Sequence, residues 1–215
     1  MTTIIQDTIQ FVKDTLRDAE GGHDWFHIER VYRNALALNK MEQGDELVVS
    51  LAALLHDIAD SKFHAGDEEI GPNKAEYFLL SIGVEAKVVT HVKQIIQNVS
   101  FSNSFDNQSF NSLELQIVQD ADRLDALGAI GIARTFTYGG YKNRTLYDPE
   151  IAPQLNHTKE SYKNSSAPTL NHFYEKLLLL KDQMNTSAGK VIANERHQFM
   201  EMYLEQFYAE WRGER

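Results

Sequence analysis

Two adjacent ionisable residues, His56 and Asp57, stand inside a strongly apolar stretch of the chain, Leu47–Ala59. The stretch predicts a buried central helix, because apolar residues occupy every side of it. An unpaired carboxylate in an apolar interior costs several kcal/mol, which is comparable with the stability of a whole domain. A bound divalent cation would compensate both side chains, since imidazole and carboxylate groups are both metal ligands. The pair therefore indicates a metal site.

Two further residues of the same chemical types, His27 and Asp122, precede and follow the pair. Neighbouring residues on a helix point about 100° apart, so His56 and Asp57 would both reach a cation beside their helix. Because the other two candidates are far away in sequence, they would come from two other helices. The core of a helical bundle is a known place for such a site.

The composition limits the classes of protein that the chain could be. The 215 residues suffice for one sizeable core, and 42% apolar with 24% charged residues is typical of a soluble globular protein. The absence of cysteine excludes disulfides, thiolate zinc sites and cysteine nucleophiles. We expect a cytoplasmic protein without a membrane partner, because no run approaches the roughly 20 apolar residues of a membrane span.

The net charge of −10 argues against a large nucleic acid as partner, because such binding depends on basic surfaces. A small anionic substrate beside a bound cation remains compatible with this charge. The sequence does not decide the oligomeric state, and a homodimer is compatible with it.

Helical patterns follow one another along the chain, and we find no convincing strand alternation, internal repeat or linker. The predicted helices are Ile4–Glu20, a helix capped by Asp24 and ending near Met41, Leu47–Ala59, Pro72–Ile82, Val84–Val99, Leu113–Phe136, Pro168–Gln183 and Ser187–Arg212. Ser100–Ser112 is expected to be a loop. Tyr138–Ala167 lacks periodicity, and loops of this length are commonly lids. We therefore expect a single all-α domain over residues 1–215.

The sequence contexts of the candidate ligands resemble those of the HD superfamily of metal-dependent phosphohydrolases, which is named after the adjacent pair. The three stretches that carry the resemblance are His-Asp-Trp-Phe-His-Ile-Glu-Arg-Val, Leu-Leu-His-Asp-Ile-Ala-Asp-Ser-Lys-Phe and Asp-Ala-Asp-Arg-Leu-Asp-Ala-Leu-Gly-Ala-Ile-Gly. They look like the bacterial YpgQ/YedJ-like branch, closely over residues 20–140 and loosely elsewhere. The resemblance implies an HD-type helical bundle with a metal-binding core at 20–140 and C-terminal helices at 168–215.

The resemblance also implies one divalent cation, Mn, Mg, Co or Ni, and the hydrolysis of phosphate esters or anhydrides in nucleotides. The metal ligands that it implies are His27, His56, Asp57 and Asp122. Asp60, one turn after Asp57, is then expected to transfer a proton or to orient the attacking water, because several HD branches carry an acidic residue at this offset. Lys62 is the nearest cation for a substrate phosphate. Further candidates for substrate binding are His23, Arg30, Lys142, Arg144 and Arg196.

Simpler interpretations of these residues remain open. Asp60 could form an ion pair with Lys62, and His23 could belong only to the turn before the helix cap. Residues 138–167 could be a surface excursion rather than a lid. HD enzymes with two metals resemble one another in carrying extra histidines between the His-Asp pair and the last aspartate. This chain has only two histidines in that interval, His64 and His91, so one metal is favoured over two.

The leading functional prediction is a (deoxy)nucleoside triphosphate pyrophosphohydrolase, which cleaves between the α and β phosphates. The alternatives are a nucleoside monophosphatase or cyclic-nucleotide phosphodiesterase, and a nucleotide-sensing module that binds without catalysing. The complete ligand set argues against the sensor, because loss of ligands is the expected mark of a degenerate site.

Overall fold

The protein is described by a computed structural model that covers residues 2–17, 24–59, 69–99, 110–155 and 167–215. These residues form nine α-helices and one 3₁₀ segment, and they contain no strand, so the all-α prediction is confirmed. The helices are α1 (Thr2–Thr15), α2 (Trp25–Glu42), α3 (Glu46–Leu55), α4 (Ile70–Ser81), α5 (Ala86–Val99), α6 (Leu113–Asp125), α7 (Gly128–Tyr141), α8 (Asn171–Glu175) and α9 (Ser187–Trp211), with the 3₁₀ segment Leu177–Gln183 between α8 and α9.

No helix within the described ranges has both the length and the apolar character that a membrane crossing needs. By its internal contacts the chain divides into two compact units, Met1–Asp122 and Arg123–Arg215. The single domain over residues 1–215 stays a prediction.

Helix α3 forms the centre of the first unit. All of its residues from Val48 to Leu55 are buried, as expected for a helix that is apolar on every side. It packs against α1, α2 and α5. Helix α2 turns its own buried face inward, with Ile28, Val31 and Leu38 fully buried. The N-terminus of α2 is thereby brought beside the C-terminus of α3.

The predicted helix Leu47–Ala59 is too long at its C-terminal end. Helix α3 ends at Leu55, and His56 is its C-cap residue. The imidazole Nδ1 of His56 lies 2.9 Å from the carbonyl oxygen of Ala53 and donates to it. The His56 side chain thus donates to one of the last carbonyl groups of the helix, which have no main-chain N–H partner within the helix. Similarly, α1 ends at Thr15, a weak helix former, and not at Glu20.

The predicted helix Leu113–Phe136 is in fact two helices, α6 and α7. Gly128 has a φ of +69°, a left-handed conformation that breaks the helix and that only glycine adopts readily. A Cβ atom at Gly128 would also lie 3.1 Å from Cγ of Arg196, so the position favours a residue without a side chain. The break follows from one backbone conformation, which hydrophobic periodicity does not reveal.

Two other boundaries in the second unit differ from the prediction. Helix α7 continues to Tyr141, so Gly139 and Gly140 are helical, although the sequence predicted a loop from Tyr138 onward. Gly139 is buried, and a Cβ atom there would lie 2.2 Å from Oγ1 of Thr169, so this glycine permits a close approach. The predicted helix Pro168–Gln183 is divided into α8 and the 3₁₀ segment at Lys176, whose φ of −144° is not helical.

Aromatic packing holds α7, α8 and α9 of the second unit together. Phe136 of α7 lies 5.9 Å from Phe173 of α8 and 6.2 Å from Tyr203 of α9, measured between ring centroids. Phe173 and Tyr203 stack at 6.0 Å. Such pairs add about 0.5–1.5 kcal/mol each to the burial of their area. Tyr203 of the last helix is therefore engaged in packing with both neighbouring helices.

Candidate metal centre

His27 is placed by the N-terminal cap of α2. The Asp24 carboxylate accepts a hydrogen bond of 3.0 Å from the main-chain nitrogen of His27, as expected of an N-cap aspartate. His27 is 3% exposed, on the same inner face as Val31 and Leu38. The cap thus begins the helix at a fixed residue and directs this imidazole into the first unit.

His56 is oriented by the bond that ends α3. Because its Nδ1 donates to the Ala53 carbonyl oxygen, the neutral imidazole carries its lone pair on Nε2. Metal-bound histidines characteristically donate their other ring nitrogen to a carbonyl or carboxylate group in this way. The structure therefore presents Nε2 of His56 as a ready donor atom.

The four candidate ligands come together in the first unit. One donor atom each of His27, His56 and Asp57 lies within 4.8 Å of the others. The Asp122 carboxylate Oδ1 lies 3.5 Å from Nε2 of His27 and 3.8 Å from Nε2 of His56. Donor atoms from α2, from the end of α3 and from the last turn of α6 thus converge.

The donor set suits a divalent cation in both chemistry and spacing. Nitrogen and oxygen donors that bind one such ion at about 2.0–2.2 Å lie roughly 3 to 4.4 Å from one another. The separations of 3.5 and 3.8 Å between Asp122 and the two imidazoles fall in this range. Two imidazoles and two carboxylates are ligands that first-row divalent metals accept. The residues fit the cation that the sequence contexts imply.

The two sides of this donor set differ in their exposure. The His27 and His56 side chains are 4% and 5% exposed, whereas the Asp122 side chain is 40% exposed. The two imidazoles are therefore shielded from water, whereas the Asp122 carboxylate is accessible to solvent.

Several predicted site residues lie outside the part of the chain that the structure describes: Asp60, Lys62 and His23. Arg30 is described; it lies on α2, three residues after His27, and is partly buried. His91 contacts Ser112 through Nε2 at 3.0 Å and does not belong to the group of His27, His56 and Asp57. The roles of these residues stay predictions.

Three cationic residues of the prediction belong to the second unit. The Lys142 ammonium lies 5.0 Å from the centroid of the Tyr141 ring, and the Arg144 guanidinium lies 5.6 Å from that of Tyr138. Arg196 donates from Nη1 to the Leu124 carbonyl oxygen at 2.5 Å. Burial lowers the pKa of Arg196 from its ordinary value, against the opposing effect of a nearby carboxylate. Their contact with substrate stays a prediction.

Sequence reasoning missed one polar residue beside the site, Asn34. Its Nδ2 lies 3.4 Å from the carbonyl oxygen of Ala121, the residue that directly precedes Asp122. Helical periodicity could have found it, because it follows His27 by seven residues and therefore lies on the same side of α2.

Comparison with known proteins agrees with this geometry. The HD domain family matches residues 25–127. The uncharacterized protein YpgQ of Bacillus subtilis is 36% identical over 199 residues, which cover 91% of this chain and 88% of YpgQ. A solved HD-superfamily hydrolase from Bacillus thuringiensis is 47% identical, with a TM-score of 0.78 and coverage of 97% and 96%. YpgQ has also been solved in complex with ADP; it superimposes with a TM-score of 0.77 at 32% identity, with coverage of 97% and 95%.

The chain therefore belongs to the HD domain family. The family match and the similarity to a solved HD-superfamily hydrolase confirm the prediction of a metal-dependent phosphohydrolase.

Proposed function

We propose that this enzyme hydrolyses nucleotides, as a (deoxy)nucleoside triphosphate pyrophosphohydrolase that uses one Mn, Mg, Co or Ni ion. The observation that carries the nucleotide part is the complex of the similar protein YpgQ with ADP. Cleavage between the α and β phosphates follows from the resemblance to the YpgQ/YedJ-like branch. The open side of the donor set, at Asp122, is compatible with a phosphate chain that reaches the ion from solvent.

The residues that would hold the ion are His27, His56, Asp57 and Asp122. When bound, a divalent cation polarises a phosphoryl oxygen and lowers the pKa of a water molecule toward neutrality. The Ala53 carbonyl keeps the His56 ring in one orientation and one tautomer, so no reorganisation precedes binding. The burial of both imidazoles excludes water on one side and strengthens electrostatic interactions there.

Other residues of the chain would act on the substrate and on protons. Asp60 follows Asp57 by three residues and is our candidate for accepting the proton of the attacking water. Lys62, Arg30 and the other predicted cations would bind phosphate oxygens through charge-assisted hydrogen bonds. These roles rest on residue type and sequence offset.

The test is a panel of purified nucleotides, each with Mn²⁺, Mg²⁺, Co²⁺ or Ni²⁺, in which pyrophosphate and orthophosphate release are measured separately. We expect pyrophosphate and the nucleoside monophosphate from triphosphates. The matched variants are Asp122→Asn, which should lose activity, and Asp45→Asn, which should retain it. Asp45 caps α3 at the end opposite His56, and asparagine preserves such a cap.

The other outcomes distinguish the alternatives. Orthophosphate from monophosphates alone would show a nucleoside monophosphatase, and turnover of cyclic nucleotides alone would show a phosphodiesterase. Nucleotide binding by calorimetry without turnover of any compound would favour the sensing module. Each of these results would overturn the pyrophosphohydrolase proposal.

A further inference from the structure

The placement of Asp122 against the two imidazoles depends on how α6 is held. Two hydrogen bonds join the earlier turns of α6 to the first unit: Glu114 accepts from the main-chain nitrogen of Asp45 at 3.0 Å, and Gln119 donates from Nε2 to the Asn98 carbonyl oxygen at 3.0 Å. Helix α6 contributes fully buried apolar side chains, including Ile117, Val118 and Ala121. Interdigitated apolar side chains restrict the rotation and axial position of a helix. A hydrogen bond restricts them further, because it is directional.

Asn34 makes such a bond at the turn that carries Asp122. It follows His27 by seven residues, which is nearly two full turns, so both lie on the same face of α2. Its Nδ2 lies 3.4 Å from the Ala121 carbonyl oxygen, at the long end of hydrogen-bond distance. The contact spans 87 residues of sequence. It thus joins the helix of one candidate ligand to the residue directly before another.

We propose that Asn34 is a positioning residue for the metal centre. Its amide holds the last turn of α6 against α2, so that the Asp122 carboxylate stands at 3.5 and 3.8 Å from the imidazoles of His27 and His56. The inference rests on the proposed metal site. Partners outside the ligand set typically alter metal affinity by about 10–100-fold when they are mutated.

The test measures Mn²⁺ affinity by isothermal titration calorimetry in Asn34→Leu and Asn34→Ala. Leucine has the branching and the number of heavy side-chain atoms of asparagine but donates no hydrogen bond, and alanine removes the bond without adding volume, so a change shared by both variants reports the bond. We expect the Kd for Mn²⁺ to rise about 10-fold or more in both variants. The melting temperature of the protein in EDTA is measured in parallel, because a merely structural role would lower it without changing the affinity.

The chain supplies a matched control in Asn39. This residue is also an asparagine of α2 that donates from Nδ2 to a carbonyl oxygen, that of Gly44 at 3.2 Å. It lies about 18 Å from His27 along the helix, at 1.5 Å per residue. Asn39→Ala should lower the melting temperature in EDTA and leave the Kd for Mn²⁺ within about twofold.

Three results would overturn the proposal. An unchanged Kd in a folded Asn34 variant would show that the bond does not position Asp122. An equal loss of affinity in Asn39→Ala would show a general effect of stability. Failure of both Asn34 variants to fold without metal would show a purely structural residue. Absence of Mn²⁺ binding in the wild-type protein would instead refute the proposed metal site. The wild-type titration therefore distinguishes failure of the metal site from failure of the proposal about Asn34.

Discussion

The substitution Asp57→Asn tests the metal centre most directly. It replaces one carboxylate oxygen by an amide nitrogen, keeps the shape of the side chain and removes the negative charge next to the two imidazoles. The Asp57 donor lies within 4.8 Å of those of His27 and His56, so the charge is lost at the point where the cation would be held. We expect the protein to stay folded, because the substitution also removes a partly buried charge.

The magnitude follows from the electrostatics of the site. Two unit charges about 4 Å apart interact by roughly 4 kcal/mol at an effective dielectric constant near 20. A divalent ion at ligand distance would interact more strongly with a carboxylate, but the asparagine oxygen remains a ligand atom and offsets part of the loss, so we take roughly 4 kcal/mol as the net loss. Since 1.4 kcal/mol corresponds to a factor of ten, the variant should bind a divalent cation about 10³-fold more weakly. At a concentration of about 1,000 times the wild-type Kd, binding stabilises the wild type by ~4.1 kcal/mol. The same concentration would stabilise the variant by only ~0.4 kcal/mol.

Differential scanning fluorimetry with Mn²⁺ and with EDTA measures this difference. For a chain of 215 residues, 1 kcal/mol shifts the melting temperature by about 2–4 °C. The rise caused by Mn²⁺ should therefore be about 8–16 °C in the wild type and about 1–2 °C in Asp57→Asn. Asp45→Asn, at the other end of the ten-residue α3, is the control and should keep the full rise. If Mn²⁺ raised the melting temperature of Asp57→Asn by nearly as much as that of the wild type, to within about 2 °C, Asp57 would not be a ligand.

The other predictions concern proton transfer, the break between α6 and α7, and substrate binding. Asp60→Asn should lower kcat by about 10²–10⁴-fold with metal content unchanged by elemental analysis; activity within a few-fold would favour a structural ion pair. Gly128→Ala should lower the free energy of unfolding in urea by about 1–3 kcal/mol, because φ is +69° and the new Cβ would lie 3.1 Å from Arg196; an unchanged midpoint would contradict this. Lys142→Ala should raise KM for the nucleotide, and bound nucleotide should slow hydrogen exchange over residues 142–155. If neither changes, this segment takes no part in recognition.

Much of the helical architecture could be predicted from the sequence. The period of apolar residues located α2, α5 and α9 to within a few residues, since each buries one continuous face. The errors fall where a single local feature overrides that pattern. The glycine with positive φ at 128 divides one predicted helix, and the side chain of His56 ends another.

The candidate site shows the same division between local and tertiary information. The pair His56 and Asp57 was predicted because ionisable groups in an apolar helix need a partner whatever the fold. His27 and Asp122 were added by residue type and by the resemblance of their sequence contexts to the HD superfamily. The structure brings all four together in the first unit, although their roles as ligands stay a prediction. Periodicity placed each donor on a face of its own helix and could say nothing of distances between helices.

The candidate donors and the helices that carry them could thus be predicted from the amino-acid sequence, because residue type and helical periodicity are local properties of the chain. The folded structure was needed to show that the Asp122 side chain is 40% exposed while both imidazoles are buried. It alone revealed the contact between Asn34 and Ala121, 87 residues apart. Such contacts depend on how helices pack, and packing is a property of the whole core that no local pattern contains.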